Sequence, residues 1–266
     1  MSSHASVVPA LPAEDAQMQE TSAIVLRPAK LRSYELLRLA PGLRVLDVGC
    51  GPATDTLPMA EIVGESGIVI GVDADPLMVL SAERKALRAG VSHYVRHHRI
   101  NALELPFRDK EFDACRSERT FQHLADPTRA LAEMARVTRS GGRIAVIETD
   151  LATLSLDTEM DDVEQALKYE LTHSLLENPY AGRTLYRLFR RQGLTEIDIV
   201  LASFYITSYS LARLLGRMGA TEQAALARGS LSPRRLEEWH ASLDAADREG
   251  VFFATAEVVV AAGTAP

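Results

Sequence analysis

Cysteine is scarce: Cys50 and Cys115 are the two in 266 residues, and neither stands in a CxxC or Cys/His pair at metal-ligand spacing. A disulfide framework and a thiolate metal site are thereby excluded. A basic excess is missing too. The 29 Lys and Arg residues are outnumbered by 36 Asp and Glu, for a formal net charge of −7, the wrong sign for a protein that grips nucleic-acid backbones by displacing counterions. No window approaches the roughly 20 apolar residues of a membrane span, and residues 1–13 lack the basic start and apolar stretch of a secretion signal. A soluble, cytoplasmic protein is expected, with no membrane or nucleic-acid partner. What is present, 47% hydrophobic and 24% charged residues, suits one large globular domain, or one domain with a cap.

Residues 1–13, rich in Ser, Ala and Pro, read as a disordered leader, and 14–266 as the domain. Ile24, Leu31, Leu36, Leu37 and Leu39 recur at helical spacing around Pro28, which predicts two short helices within 14–40. From Arg44 to Asp150 short apolar runs alternate with helical stretches. Strands are predicted at 44–48, 68–72, 94–100, 112–117 and 143–148, with helices at 54–63, 76–89 and 127–138. Such alternation implies βαβ units, hence an α/β, Rossmann-like, mostly parallel sheet with helices on both faces. After Asp150 the alternation stops. A helix over 158–176 carries Val163, Leu167, Leu171 and Leu175 on one face. A helix at 181–192 leads into a strand at 194–201, a helical region spans 210–249, and a strand-like run at 251–262 closes the sheet. Residues 151–178 and 203–250 are expected to be cap insertions.

The most informative stretch is Val45-Leu46-Asp47-Val48-Gly49-Cys50-Gly51-Pro52-Ala53-Thr54, an apolar strand entering two glycines and then a helix. Gly49 and Gly51 permit backbone angles closed to other residues and let a ligand rest on the main chain. Asp73 ends the next apolar run about 20 residues further on, where a carboxylate at a strand end accepts both hydroxyls of a ribose. A nucleoside pocket follows. Nicotinamide dinucleotides favour a third small residue in the turn, but Thr54 stands there with Asp55 behind it. A carboxylate at the first helical turn repels a pyrophosphate and tolerates a sulfonium or ammonium group. Asp47, Asp55 and Asp73 together predict a cationic or zwitterionic nucleoside.

Leu46-Asp47-Val48-Gly49-Cys50-Gly51 resembles the first motif of the class I S-adenosylmethionine-dependent methyltransferases. The resemblance continues through Gly71-Val72-Asp73 as the ribose motif and Asn101-Ala102-Leu103-Glu104-Leu105-Pro106-Phe107 as the adenine motif. It extends to Phe112-Asp113-Ala114, to Gln122-His123-Leu124-Ala125-Asp126-Pro127, and to Arg139-Ser140-Gly141-Gly142-Arg143. Closest in style are small-molecule enzymes of quinone-biosynthesis and secondary-metabolite type. The resemblance implies a seven-stranded sheet of order 3-2-1-4-5-7-6 with the last strand antiparallel. It also implies S-adenosylmethionine as cofactor, S-adenosylhomocysteine as product, and cofactor contacts at Asp47, Gly49, Cys50, Gly51, Asp73, Ala74, Asn101, Ala102 and Ser117. The adenine motif usually begins with Asp. Asn101 replaces it here, and its amide oxygen still accepts a hydrogen bond from an adenine amino group.

Methyl transfer is an in-line displacement, so alignment of the acceptor behind the methyl group is the protein's main task. An acceptor hydroxyl of high pKa gains from a base. His123, after the fourth strand, carries a side chain whose unperturbed pKa is close to neutral and is the first candidate, against an ordinary role capping or packing the loop before Pro127. Glu148, at the end of the fifth strand, is a second catalytic candidate, forming with Asp150 an acidic pair of the kind metal-assisted methylation would want, against a solvated strand end. No carboxylates stand at a recognisable metal spacing, and no metal is expected. Arg96, His97, His98 and Arg99 read as charges on an edge strand that deter pairing. The expected function is methylation of an O, N or C atom of a small, partly apolar metabolite, by a monomer or homodimer. The alternatives are a nucleoside-binding member that makes no methylated product, regulatory or pericyclic, and an NAD(P)-dependent oxidoreductase.

Overall fold

The computed structural model describes residues 13–216 and 218–266, so all but one residue of the expected leader lies outside them. Helix α1 (Ala13–Val25) and helix α2 (Arg27–Leu36) open the described chain. Pro28 sits in the first turn of α2, where its missing N–H costs nothing. Strand β1 (Arg44–Val48), helix α3 (Thr56–Val63), strand β2 (Ile68–Asp73), helix α4 (Pro76–Arg88) and strand β3 (Val95–Arg99) follow. Then come strand β4 (Phe112–Glu118), a single 3-10 turn (Phe121–His123), helix α5 (Pro127–Val137) and strand β5 (Thr138–Leu156). The alternation of apolar runs and helical stretches therefore locates the elements to within a residue or two as far as α5.

The remaining elements are α6 (Asp161–His173), α7 (Ala181–Arg191), β6 (Thr195–Ile206), α8 (Tyr209–Leu215), α9 (Met218–Arg228), α10 (Pro233–Glu249) and β7 (Ala254–Thr264). Two expectations change here. Strand β5 runs on to Leu156 and β6 to Ile206, so the expected cap boundaries at 151 and 203 fall inside strands that extend beyond the sheet's carboxyl edge. The helical region expected over 210–249 is three helices. Pro233 starts the last of them, behind Ser232, whose side chain caps it by accepting the Arg235 N–H.

The sheet has the order β3-β2-β1-β4-β5-β7-β6, with β7 antiparallel to both neighbours and the other pairs parallel. Its two faces bury separate clusters. Leu46, Val48, Cys115, Ile144 and Val146 face α5 and α7, whereas Val45, Val69, Ala114, Ala145 and Ile147 face α2, α3 and α4. This alternation within each central strand is the period-2 geometry of a strand buried on both sides. A third cluster, around Trp239, Leu167, Tyr209 and Phe252, joins α6, α8, α9 and α10 beyond the carboxyl edge. Strand β3 is a sheet edge, and Arg96, His98 and Arg99 on it are exposed, as an edge that must resist pairing requires. His97 on the same strand is instead buried, between Glu83 and Thr56.

Candidate active site

A cavity of about 470 Å3 opens at the carboxyl ends of β1, β2 and β4. The turn after β1 is tied to β2 by its own backbone: the Gly49 and Cys50 N–H groups both donate to the Val72 carbonyl, at 2.7 and 3.0 Å. Gly51 N–H donates to Asp73 Oδ2 at 2.9 Å, and Asp75 N–H donates to Asp73 Oδ1 at 2.9 Å. Asp73 thus fixes both turns and keeps lone pairs on each oxygen for a ligand. Burial raises its pKa. Gly49 and Gly51 have φ of +74° and +51°, the left-handed region that favours glycine. A Cβ on Gly49 would stand 1.9 Å from Thr120 Oγ1, whereas one on Gly51 would meet nothing within 4 Å. Gly51 lines the cavity, so the second position is an open cradle on the main chain.

Ala74, Asn101 and Ala102 line the same part of the cavity. Asn101 Oδ1 already accepts the Leu103 N–H at 3.0 Å, so its own turn orients the amide.

The expected ring of three free aspartates is not what the fold builds. Asp47 is 1% exposed, does not line the cavity and pairs with Arg116, its register neighbour on β4. Asp55 does line it but is held by Lys30 Nζ at 2.5 Å, Arg116 at 2.9 Å and the Tyr34 hydroxyl. Glu118 shares both cations, at 2.8 Å from Lys30 and 2.5 Å from Arg116. Burial favours the neutral acid at both aspartates. It carries Asp47 up to about 7, while at Asp55 the Arg116 and Lys30 charges outweigh it and hold the carboxyl well below its ordinary range. The charge that the sequence pattern assigns to Asp55 is therefore neutralised from α2 and β4. The pattern does not single out Lys30, Tyr34 or Arg116. A signal exists for one of them, since Arg116 interrupts the otherwise apolar β4 and a buried cation requires a carboxylate partner.

The loop after β4 forms the next wall, through Glu118, Arg119, Thr120, Gln122 and His123. His123 is exposed at the rim, its Nε2 lying 3.2 Å from Gln122 Nε2. Glu148 is fully buried behind this loop and does not line the cavity. Its Oε1 accepts the Phe121 N–H at 2.6 Å. Burial pushes its pKa up to about 8, against the N–H groups of Phe121, Thr120 and Gln122. Expected at the chemistry, Glu148 is instead a brace for the turn that carries His123. Asn178 braces that turn from outside, donating Nδ2 to the Phe121 and Leu124 carbonyls. Ser117, whose backbone carbonyl is the atom expected to meet the cofactor's ammonium, is buried and does not line the cavity, and its Oγ donates to Val48 O at 2.8 Å.

Beyond His123 the cavity turns apolar. Leu151, Leu154 and Leu156 of β5, Leu171 of α6 and Phe204 and Ile206 of β6 line it, and Met18, Ser22, Val25 and Leu26 close one side. Sequence patterning marks these residues as apolar without saying that they enclose a space.

A sheet of this order, with a glycine turn at its first carboxyl end and a ribose-type carboxylate at its second, defines a Rossmann-like nucleoside-binding protein. The methyltransferase domain family matches residues 46–146. An uncharacterized 37.1 kDa protein in transposon TN4556 of Streptomyces fradiae is 35% identical over 241 residues, covering 88% of this chain and 68% of that protein. The demethylmenaquinone methyltransferase of Alkalihalophilus pseudofirmus is 35% identical over 118 residues, or 44% of this chain, and the match spans only half of that relative. The YcgJ protein of Bacillus subtilis shares the fold, with a TM-score of 0.62 at 20% identity, over 90% of this chain and 98% of that one. The chain belongs to the class I S-adenosylmethionine-dependent methyltransferases. The family's cofactor fits the site: the open cradle at Gly51 and the spare lone pairs of Asp73 are the contacts a nucleoside needs.

Proposed function

We propose that this protein methylates an O, N or C atom of a small, partly apolar metabolite. S-adenosylmethionine, when bound, supplies a sulfonium methyl group for in-line displacement and leaves S-adenosylhomocysteine. In this reading Gly49, Cys50 and Gly51 form the floor under the nucleoside, Asp73 and Ala74 receive the ribose, and Asn101 and Ala102 border the adenine. Asp55 and Glu118, clamped by Lys30 and Arg116, shape the end near the amino-acid part. Asp47 and Ser117 act from below, by holding the strands that carry these contacts. His123 accepts the acceptor's proton where that group is a hydroxyl, and Glu148 positions it through the 121–123 turn. The helices and strand ends of 151–178 and 203–250 serve as the cap, keeping water from the acceptor.

One observation carries the reading: a single cavity joins the glycine turn and Asp73 to an apolar chamber, with His123 on its wall. Incubating the protein with S-adenosylmethionine and a panel of phenolic, quinol and polyketide acceptors is expected to yield S-adenosylhomocysteine with at least one of them. His123→Gln is expected to slow hydroxyl methylation by about 100-fold with cofactor affinity unchanged. Tight cofactor binding without product from any acceptor would favour a non-methylating member.

A further inference from the structure

The apolar chamber rests on a break in the sheet's register. From the Asp150–Glu257 pair to the Ser155–Thr255 pair, β5 advances five residues while β7 advances two, so β5 carries three extra residues. The bulge is stapled. Thr153 Oγ1 donates to the Asp150 carbonyl at 2.6 Å and accepts the Glu257 N–H at 2.9 Å, satisfying backbone groups that the lost ladder would have paired. Leu151 and Leu154 lie to either side of Thr153, and both line the cavity. Bulges beside binding sites re-aim side chains in this way.

Charge is distributed unevenly around the cavity. The described Asp, Glu, Lys and Arg on its wall are Asp55, Asp73, Asp75, Arg116, Glu118 and Arg119, none of them from β5, β6 or α6; Arg119 stands at the border, its Nη1 donating to Ser22 Oγ at 3.0 Å. Arg116 is held by Glu118 at 2.5 Å, and Arg119 Nε lies 3.7 Å from the same carboxylate. Lys168 lies in a separate small cavity behind Leu154 and Leu156, 3.9 Å from Glu164. Among the described residues, therefore, the part of the chamber formed by β5, β6 and α6 carries no counter-ion. A carboxylate or phosphate buried there loses its hydration without a partner charge, whereas a hydrocarbon body is favoured by leaving water.

We propose that the stapled β5 bulge determines acceptor specificity: it selects an uncharged acceptor with a hydrocarbon body and rejects anionic ones. The inference rests on the methyl-transfer reading and sharpens it. The neutral fluorescent probe N-phenyl-1-naphthylamine, added with S-adenosylhomocysteine present, tests it without turnover. It is expected to bind in the chamber and to be displaced by decanol at a concentration at least about 10-fold lower than by decanoate at pH 7.5. Leu154→Glu is expected to weaken probe binding about 10-fold or more, and Leu154→Ala about 3- to 10-fold. In both variants calorimetric binding of S-adenosylhomocysteine is expected to stay within about 2-fold of wild type, because substitutions at separated sites with no shared partners act nearly independently. If Leu154→Glu does not fold, Leu154→Ala and the wild-type decanol and decanoate pair decide. Decanoate matching decanol, no probe binding, or probe binding indifferent to both Leu154 variants would each overturn the proposal while the methyl-transfer reading stands. Failure of S-adenosylhomocysteine to bind the wild type would remove both.

Discussion

The two halves of the cavity are held in opposite ways. In the nucleoside half the recognising surface is backbone: a left-handed glycine turn, N–H groups tied to Val72 and Asp73, and behind them a buried ionic cluster. The acceptor half is a surface of side chains, leucines from a bulged strand facing a helix and the end of β6. Backbone recognition demands particular residues at particular spacings. Side-chain enclosure demands only apolar volume, which many sequences supply.

The strongest way to break this contrast is to remove the charge that anchors the nucleoside half. Arg116→Met leaves Asp47, Asp55 and Glu118 buried with Lys30, and Arg119 at 3.7 Å from Glu118, as the remaining close cations, and is expected to cost about 3–5 kcal/mol of stability. Thermal or urea unfolding measures the loss. Next in size, Asp73→Ala removes the acceptor for two backbone N–H groups and, in the proposed reading, for the ribose. S-adenosylhomocysteine affinity is expected to fall about 100-fold by calorimetry, with probe binding in the acceptor half little changed.

Glu148 lies behind the turn between the halves, and its titration sharpens the comparison. Burial raises its pKa to about 8 in the folded protein, so between the ordinary carboxyl value and about 8 the folded state binds a proton that the unfolded chain has released. Its contribution is whole below about pH 4.5 and is lost as pH rises through 8, at up to about 1.4 kcal/mol per pH unit. Urea midpoints measured across that range are expected to flatten in Glu148→Gln. The smallest effect belongs to the acceptor half: Thr153→Val removes the staple and is expected to weaken apolar-probe binding about 3-fold at roughly 1 kcal/mol of stability, leaving nucleoside affinity unaltered.

This contrast also explains what can be read in the sequence. The strands from Arg44 to Glu118 and the glycine turn are legible because their geometry requires apolar runs and left-handed glycines in short order. Gly49, Cys50, Gly51, Asp73, Ala74, Asn101 and Ala102 all line the cavity. Asp47 and Asp55 stand out in the sequence as important but look like free charges, because their partners Lys30, Tyr34 and Arg116 come from 21 to 69 residues away. Glu148 looks catalytic because a strand end points toward the site, but the backbone of a loop 27 residues earlier claims its carboxylate. The acceptor chamber is marked in the sequence only coarsely, as apolar cap segments at 151–178 and 203–250, several of whose residues line the cavity. Its key feature is a register shift between β5 and β7, and neither strand's own pattern reveals how it pairs with the other.

The nucleoside half depends on the turn after β1 holding a sulfur nucleoside whose sugar Asp73 receives. A crystal structure of the complex with S-adenosylhomocysteine tests this most directly. Density is predicted over Gly49 to Gly51, with both ribose hydroxyls within hydrogen-bond distance of Asp73 and the sulfur facing the passage toward His123. A ligand bound elsewhere, or one in this cavity with its ribose away from Asp73, would contradict it.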